Sequence, residues 1–218
     1  MTARERLVRR LRGGGISDER ILAAFGRVPR ELFVPEELRA RAYVDGALPI
    51  GHGATISQPT MVARICEELR LTPGERVLDV GTGSGYQAAV LAELGAEVVG
   101  IERVAALAEG ARSALAAAGY PEVEVHVGDG TLGLPERAPF DGIAVAAAAP
   151  RPPAALVAQL APAGRLVVPV GTRRDQRLEV VVRTERGAKV VRSVPCRFVP
   201  LVGAEGFDES RSGQNRAW

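Results

Sequence analysis

Residues Val77-Leu78-Asp79-Val80-Gly81-Thr82-Gly83-Ser84-Gly85-Tyr86 put a short aliphatic run directly before a G-x-G-x-G turn and the start of an apolar-periodic segment. No other stretch restricts the fold as much. The run predicts a strand buried on both faces, the glycines a turn that needs unusual backbone angles, and the segment from Tyr86 a helix packed back onto the strand. The chain downstream keeps that rhythm. Short runs at Arg76–Val80, Glu97–Glu102, Glu122–Val127, Phe140–Ala146 and Arg165–Val170 read as strands, and helices are expected at Tyr86–Leu94, Val104–Ala118 and Pro152–Leu160. Strand-helix alternation of this kind predicts an α/β fold with a mostly parallel, doubly wound sheet.

The flanks are different in character. Upstream, Leu7, Val8 and Leu11 recur at helical spacing, and Ser17 is placed to cap a turn carrying Ile21, Leu22 and Phe25. Pro29 and Pro35 interrupt these short helices, and Tyr43 to Pro59, rich in Gly and Pro, reads as a long irregular loop and so as a candidate site. Pro59 opens a helix through Met61, Val62, Ile65 and Leu69 that Pro73-Gly74 ends. Downstream, Leu178–Thr184 and Lys189–Val194 predict an antiparallel hairpin, and Gly206 to Trp218 a loose tail. One domain is expected over residues 1–218, with a helical and substrate-loop region at 1–58, a ligand-binding core at 59–204 and the tail at 205–218.

Composition narrows the class of function. A net charge of +2 over 218 residues gives little of the field that non-specific binding to nucleic acid or anionic membrane requires, so neither is an expected partner. The longest apolar run, Ile143 to Ala149, falls far short of the ~18 residues of a membrane span, and the arginine-rich start lacks the apolar core of a signal peptide. A cytoplasmic protein is expected. Cys66 and Cys196 are the two cysteines, each in apolar surroundings, and read as reduced, buried thiols.

The glycine loop also selects its ligand. A dinucleotide loop reads G-x-G-x-x-G, which frees a helix N-terminus for a pyrophosphate, whereas this loop closes early on the bulky Tyr86. Asp79 just ahead of it would repel a phosphate. Glu102, at the end of the next strand, is placed to accept hydrogen bonds from both hydroxyls of a ribose, and Asp129-Gly130 ends the third strand, where Asp129 could accept from an adenine amino group. A cationic nucleoside fits this set, which makes S-adenosylmethionine the expected cofactor, held by Asp79, Gly81, Gly83, Gly85, Glu102, Asp129 and Gly130. No metal site is expected.

Beyond the core, Leu48-Pro49-Ile50-Gly51-His52-Gly53-Ala54-Thr55-Ile56-Ser57-Gln58-Pro59 resembles the PIG-x-G-x-TISxP segment of the protein-L-isoaspartate (D-aspartate) O-methyltransferases. The likeness continues in Ile16-Ser17-Asp18-Glu19-Arg20, Val28-Pro29-Arg30, Phe33-Val34-Pro35, Phe140-Asp141, the Gly164–Gly171 stretch and Arg197-Phe198-Val199-Pro200-Leu201. His52 and Ala54 depart from the family's usual residues at the rim of the loop. The resemblance implies a Rossmann-like class I methyltransferase fold and methyl transfer to the free α-carboxylate of L-isoaspartyl, and also D-aspartyl, residues in damaged proteins. The ester would then collapse to a succinimide. It further implies that Ser57 holds the carboxylate, that Ile50, Gly51 and Val199 meet the substrate peptide, and that Thr55 and Ile56 bind the cofactor; a monomer is expected. A methyltransferase with another acceptor is the alternative reading. Because a carboxylate with pKa near ~3.5 is already ionised at neutral pH, no general base is required, and His52 and His126 are not expected to supply one.

Overall fold

The computed structural model describes residues 1–185 and 187–208. Two helices open the chain, α1 (Ala3–Gly13) and α2 (Glu19–Arg27), followed by 3-10 turns at Arg30–Phe33 and Glu36–Arg41. Thr2 and Glu5 form a reciprocal capping box at α1, which satisfies two otherwise orphaned backbone donors. The cap of α2 is Asp18, whose carboxylate accepts from the Arg20 amide, and not the expected Ser17. The Ser17 amide instead donates to Glu67 across the fold.

The stretch read as irregular contains a small hairpin, β1 (Leu48–Gly51) and β2 (Ala54–Ile56). It turns tightly through a left-handed run, with φ of 90° at Gly51, 52° at His52 and 71° at Gly53, and two of the three positions are glycines, which adopt it without strain. Then come α3 (Pro59–Leu69), β3 (Arg76–Val80), α4 (Tyr86–Glu93), β4 (Glu97–Glu102), α5 (Ala105–Ala118), β5 (Glu124–Val127), β6 (Phe140–Val145), α6 (Ala154–Ala158), β7 (Leu160–Gly171), β8 (Gln176–Thr184) and β9 (Gly187–Cys196). The main sheet runs β5-β4-β3-β6-β7-β8-β9, parallel as far as β7 and antiparallel beyond it.

Alternation along the strands divides the core between two faces. Val77, Ala144 and Val167 join α1 through α5 in one cluster, while Leu78, Val80, Ile143, Val145 and Leu166 pack with Leu156 of α6 in the other. Among the described residues the winding is therefore lopsided, with α1 to α5 on one face and the short α6 on the other. The helix expected at Pro152–Leu160 shrinks to Ala154–Ala158 because Pro153 sits at its cap and Leu160 already pairs with Phe140. Of the expected tail, Gly206 to Asp208 is held: the Phe207 amide donates to Leu201 O at 2.7 Å, and Arg173 stacks on the Phe207 ring. Residues 209–218 lie outside the described part.

Chain order places the site. From β3 the chain winds outward through β4 to β5, then crosses back to β6 on the other side of β3, so the carboxyl ends of β3 and β6 flank a topological switch point. Open α/β sheets bind ligands in that crevice. Gly100 on β4 is part of the arrangement, since a Cβ there would stand 2.4 Å from Thr82 Oγ1, the hydroxyl that donates to Asp79 O inside the glycine loop. Gly100→Ala should therefore destabilise the fold by about 1–3 kcal/mol, the usual range for overpacking, as read by a lowered urea midpoint at unchanged m-value.

Candidate active site

The glycine loop emerges from β3 and turns into α4 with φ of 76° at Gly81, 56° at Gly83 and 90° at Gly85, a left-handed backbone that favours glycine most strongly at Gly81 and Gly85. Space is a separate matter. A Cβ on Gly81 would meet nothing within 4 Å, whereas one on Gly85 would press on Leu115 of α5 at 3.1 Å. The loop is thus packed against α5 on one side and open on the other, which is a cradle for a ligand.

Asp79 is wholly buried at the end of β3. Its Oδ1 accepts from Gln87 Nε2 at 2.7 Å, while Oδ2 has no partner among the described residues. Burial pushes the carboxyl up to about 6, against the opposing hydrogen bond from Gln87, and the charge of Glu102 adds to the rise. An ionised carboxylate here is poorly solvated and would gain from a cation. The buried, unpartnered polar atoms of the described residues are Arg30 Nη1, Asp79 Oδ2, Tyr86 Oη and Gln87 Oε1. Asp79 lies on β3 just before the glycine loop, Tyr86 and Gln87 in the first turn of α4 after it, and Arg30 over the Tyr86 ring. Buried polar atoms normally find partners, so their concentration at one place marks a site organised for something other than stability.

Glu102 accepts from the Gly83 amide through Oε2 at 2.9 Å and from the Val104 amide through Oε1 at 3.0 Å. It braces the loop and ties it to the residue ahead of α5, and each oxygen keeps a lone pair for a ribose hydroxyl. Asp129 is differently committed. Its Oδ1 accepts from the amide and hydroxyl of Thr131, and its Oδ2 from the Ala204 amide at 2.7 Å, which clasps the segment after Leu201. Desolvation works against the carboxylate, yet the hydrogen bonds from Ala204 and Thr131 hold its pKa below the usual range. One acceptor position on Oδ2 is left for the adenine contact expected of it. Gly130 lies tight against Val80, where a Cβ would stand 2.8 Å from Val80 Cγ1.

The hairpin reaches this loop through Ile50, whose Cδ1 lies 3.3 Å from where a Cβ on Gly83 would be. Gly51 and Thr55 are exposed, and Ile56 points into the core, so a cofactor contact by Ile56 would be through its backbone. Ser57 is half-buried; its carbonyl accepts from Arg30 Nη2 at 2.9 Å. The cap position of α3 is Gln58, without a side-chain capping bond, and Asp45 serves that helix end instead, accepting from the Thr60 amide at 2.9 Å and the Thr60 hydroxyl at 2.7 Å. Val199 runs beside the end of β6, its carbonyl taken by the Ala148 amide at 2.8 Å.

Several site residues were not legible in the sequence. Gln87 had a signal, a lone polar residue in the buried run Tyr86–Leu91, but Arg30, Asp45 and Thr82 look like ordinary loop residues until the chain is folded. His52 stands exposed at the hairpin turn, and His126 lies 3.3 Å from Glu124 on β5. Cys66 is buried and free, with its thiol pKa raised chiefly by that burial. Among the described residues no group of three or more His, Cys, Asp or Glu could hold a metal.

The family model for protein-L-isoaspartate(D-aspartate) O-methyltransferases matches residues 2–206. The chain belongs to this family. Members that it resembles include the protein-L-isoaspartate O-methyltransferase of Aeropyrum pernix, 51% identical over 222 residues with 99% of this chain and 85% of that protein covered. The Methanopyrus kandleri protein of the same name is 52% identical over 216 residues, covering 96% of each chain. A solved protein-L-isoaspartate O-methyltransferase superposes with a TM-score of 0.83 at 31% identity, over 93% of this chain and 66% of that one. The Plasmodium falciparum protein-L-isoaspartate O-methyltransferase, solved with S-adenosyl-L-homocysteine, gives 0.79 at 27% identity over 93% of this chain and 99% of its own. This protein-L-isoaspartate O-methyltransferase family member thus has the Rossmann-like class I fold, with the C-terminal hairpin β8–β9 and N-terminal helices that its sequence predicts.

Proposed function

We propose that this chain is a single-domain repair methyltransferase that moves the methyl group of S-adenosylmethionine to the free α-carboxylate of L-isoaspartyl, and also D-aspartyl, residues in damaged proteins. The observation that carries the reading is the contact of the Ser57-bearing hairpin, through Ile50, with the glycine loop at Gly83, which brings an acceptor-side segment against a cofactor-side one. Family membership and the relative bound to S-adenosyl-L-homocysteine support it. When bound, S-adenosylmethionine supplies an electrophilic methyl on a sulfonium centre. Asp79, Gly81, Gly83, Gly85 and Glu102 would hold it, with Asp129, Gly130, Thr55 and Ile56 at its border.

The residues of the chain then have a positioning task. The acceptor carboxylate is ionised at neutral pH and needs no base, so the rate depends on holding one oxygen in line with the methyl carbon and on excluding water while opposite charges neutralise. Ser57 is the group assigned to hold the carboxylate. The backbone of Ile50, Gly51 and Val199 would meet the substrate peptide, and contacts to main chain suit an enzyme that must accept damage in many sequences. The methyl ester formed collapses to a succinimide without further help.

The same reading takes the chain to be a cytoplasmic monomer, and a net charge of +2 gives little of the field that binding to nucleic acid or anionic lipid requires. The deciding experiment is transfer from labelled S-adenosylmethionine to a peptide with one isoaspartyl residue, beside its normal aspartyl twin. Label should appear on the isoaspartyl peptide alone. Binding of the cofactor with no label on either would turn the reading toward another acceptor.

A further inference from the structure

Arg30 is fully buried, and a lone guanidinium inside a protein is costly unless something there requires it. Its pKa is lowered by that burial. The side chain touches three segments that are distant in sequence. Nε donates to Ala42 O at 2.8 Å, Nη2 donates to Ser57 O at 2.9 Å, and the guanidinium lies 4.5 Å from the centre of the Tyr86 ring. Nη1 has no acceptor among the described residues. Tyr86 is the first residue of α4, directly after the glycine loop, and is itself wedged edge-on against Phe25 and Phe33.

Stability does not account for the choice of residue. Apolar side chains of similar volume in place of buried ions are commonly neutral or stabilising, and Arg30 leaves the N–H donors of Nη1 unsatisfied among the described residues. What a guanidinium does that an apolar chain cannot is fix two carbonyls at a set separation while stacking flat on a ring. The carbonyl it fixes on one side is that of Ser57. Immediately beyond, Asp45 accepts from Gln58 Nε2 at 3.2 Å and from the Thr60 amide, so the chain is held at Ser57 and again just after it.

We infer that Arg30 is a positioning residue for methyl transfer: by tying the Ser57 carbonyl to α4 through the Tyr86 ring, it sets the acceptor-side serine relative to the cofactor loop. This rests on the assignment of Ser57 to the acceptor carboxylate. Lysine at position 30 keeps the charge but has one point of attachment instead of a planar fork, and methionine removes the attachment altogether without burying an unpaired ammonium.

The test measures kcat and KM for an isoaspartyl peptide, with the Kd of S-adenosylmethionine, in Arg30→Lys, Arg30→Met, Ser57→Ala and Arg30→Lys combined with Ser57→Ala. Misplacement of a reacting group by a fraction of an ångström should lower kcat about tenfold in Arg30→Lys and at least as much in Arg30→Met, with cofactor Kd within about twofold of wild type. The double variant should be no slower than Ser57→Ala, since Arg30 acts through Ser57. Wild-type kcat in a folded Arg30→Met, or losses that multiply in the double variant, would overturn the inference while Ser57 keeps its role. Wild-type turnover in Ser57→Ala would instead remove the assignment on which the inference stands. If Arg30→Lys does not fold, Arg30→Met alone decides.

Discussion

Asp79→Asn should raise the melting temperature of the cofactor-free protein at neutral pH and, in the same variant, weaken S-adenosylmethionine binding. Both effects come from one buried carboxyl. Its pKa is about 6 in the fold against an ordinary 3.8, a difference worth about 3 kcal/mol. The sign follows from the direction: a carboxyl raised by folding favours its protonated form in the native state, so ionisation works against the fold. The penalty is absent below pH about 3.8, grows between there and pH about 6, and is complete above. Asparagine offers Gln87 the same acceptor with no charge to desolvate. A gain of about 5–10 °C at pH 7 is expected, shrinking toward nothing near pH 4, by scanning calorimetry across that range. A variant no more stable than wild type at pH 7 would mean that the carboxyl is not strained by its burial.

The lost affinity has the same origin. Asp79 Oδ2 has no partner among the described residues, so a cation arriving there gains an attraction strengthened by the dry surroundings. Cofactor binding to the wild type should release a proton near pH 6 and weaken as the pH falls below it. Titration calorimetry in buffers of different ionisation enthalpy reads that proton directly. Asp79→Asn should abolish the release.

Ser57→Ala should lower turnover on an isoaspartyl peptide by about a hundredfold, the scale on which lost positioning or charge stabilisation at a reacting group is felt. The variant is clean for structural reasons. Asp45 and not Ser57 serves the N-terminus of α3, and the bond from Arg30 goes to the Ser57 carbonyl, which alanine retains. Stability should therefore stay within about 0.5 kcal/mol of wild type, and cofactor Kd should be unchanged. Steady-state kinetics with thermal melts check all three quantities. Wild-type kcat would remove Ser57 from the mechanism.

Much of this architecture was legible before folding because it is local. The strand, glycine turn and helix at Arg76–Glu93 are specified by aliphatic runs, by three residues that must adopt positive φ, and by an apolar face, all within one short stretch. The strands from Glu97 onward repeat that pattern, and Gly119 ends α5 as expected. The glycines of the Tyr43–Pro59 stretch misled, because the same residue marks irregular loops and tight hairpin turns, and only the pairing of Leu48 with Ile56 separates the two. Pro152 and Pro153 likewise shortened a helix whose apolar periodicity looked longer.

What the sequence by itself determined is the mostly parallel α/β core, the glycine turn between β3 and α4, and the motifs by which the chain belongs to its family. What only the tertiary structure decided is which polar groups those elements bring together. Asp129 turns out to clasp the segment after Leu201, Asp45 to cap a helix that starts well beyond it, and Arg30 to bind the serine segment from the other side of the fold. Backbone preference and hydrophobic period are properties of neighbouring residues and can be read in order along a chain. The partner of a buried charge is set by how helices and strands far apart in sequence pack, and no local pattern encodes it.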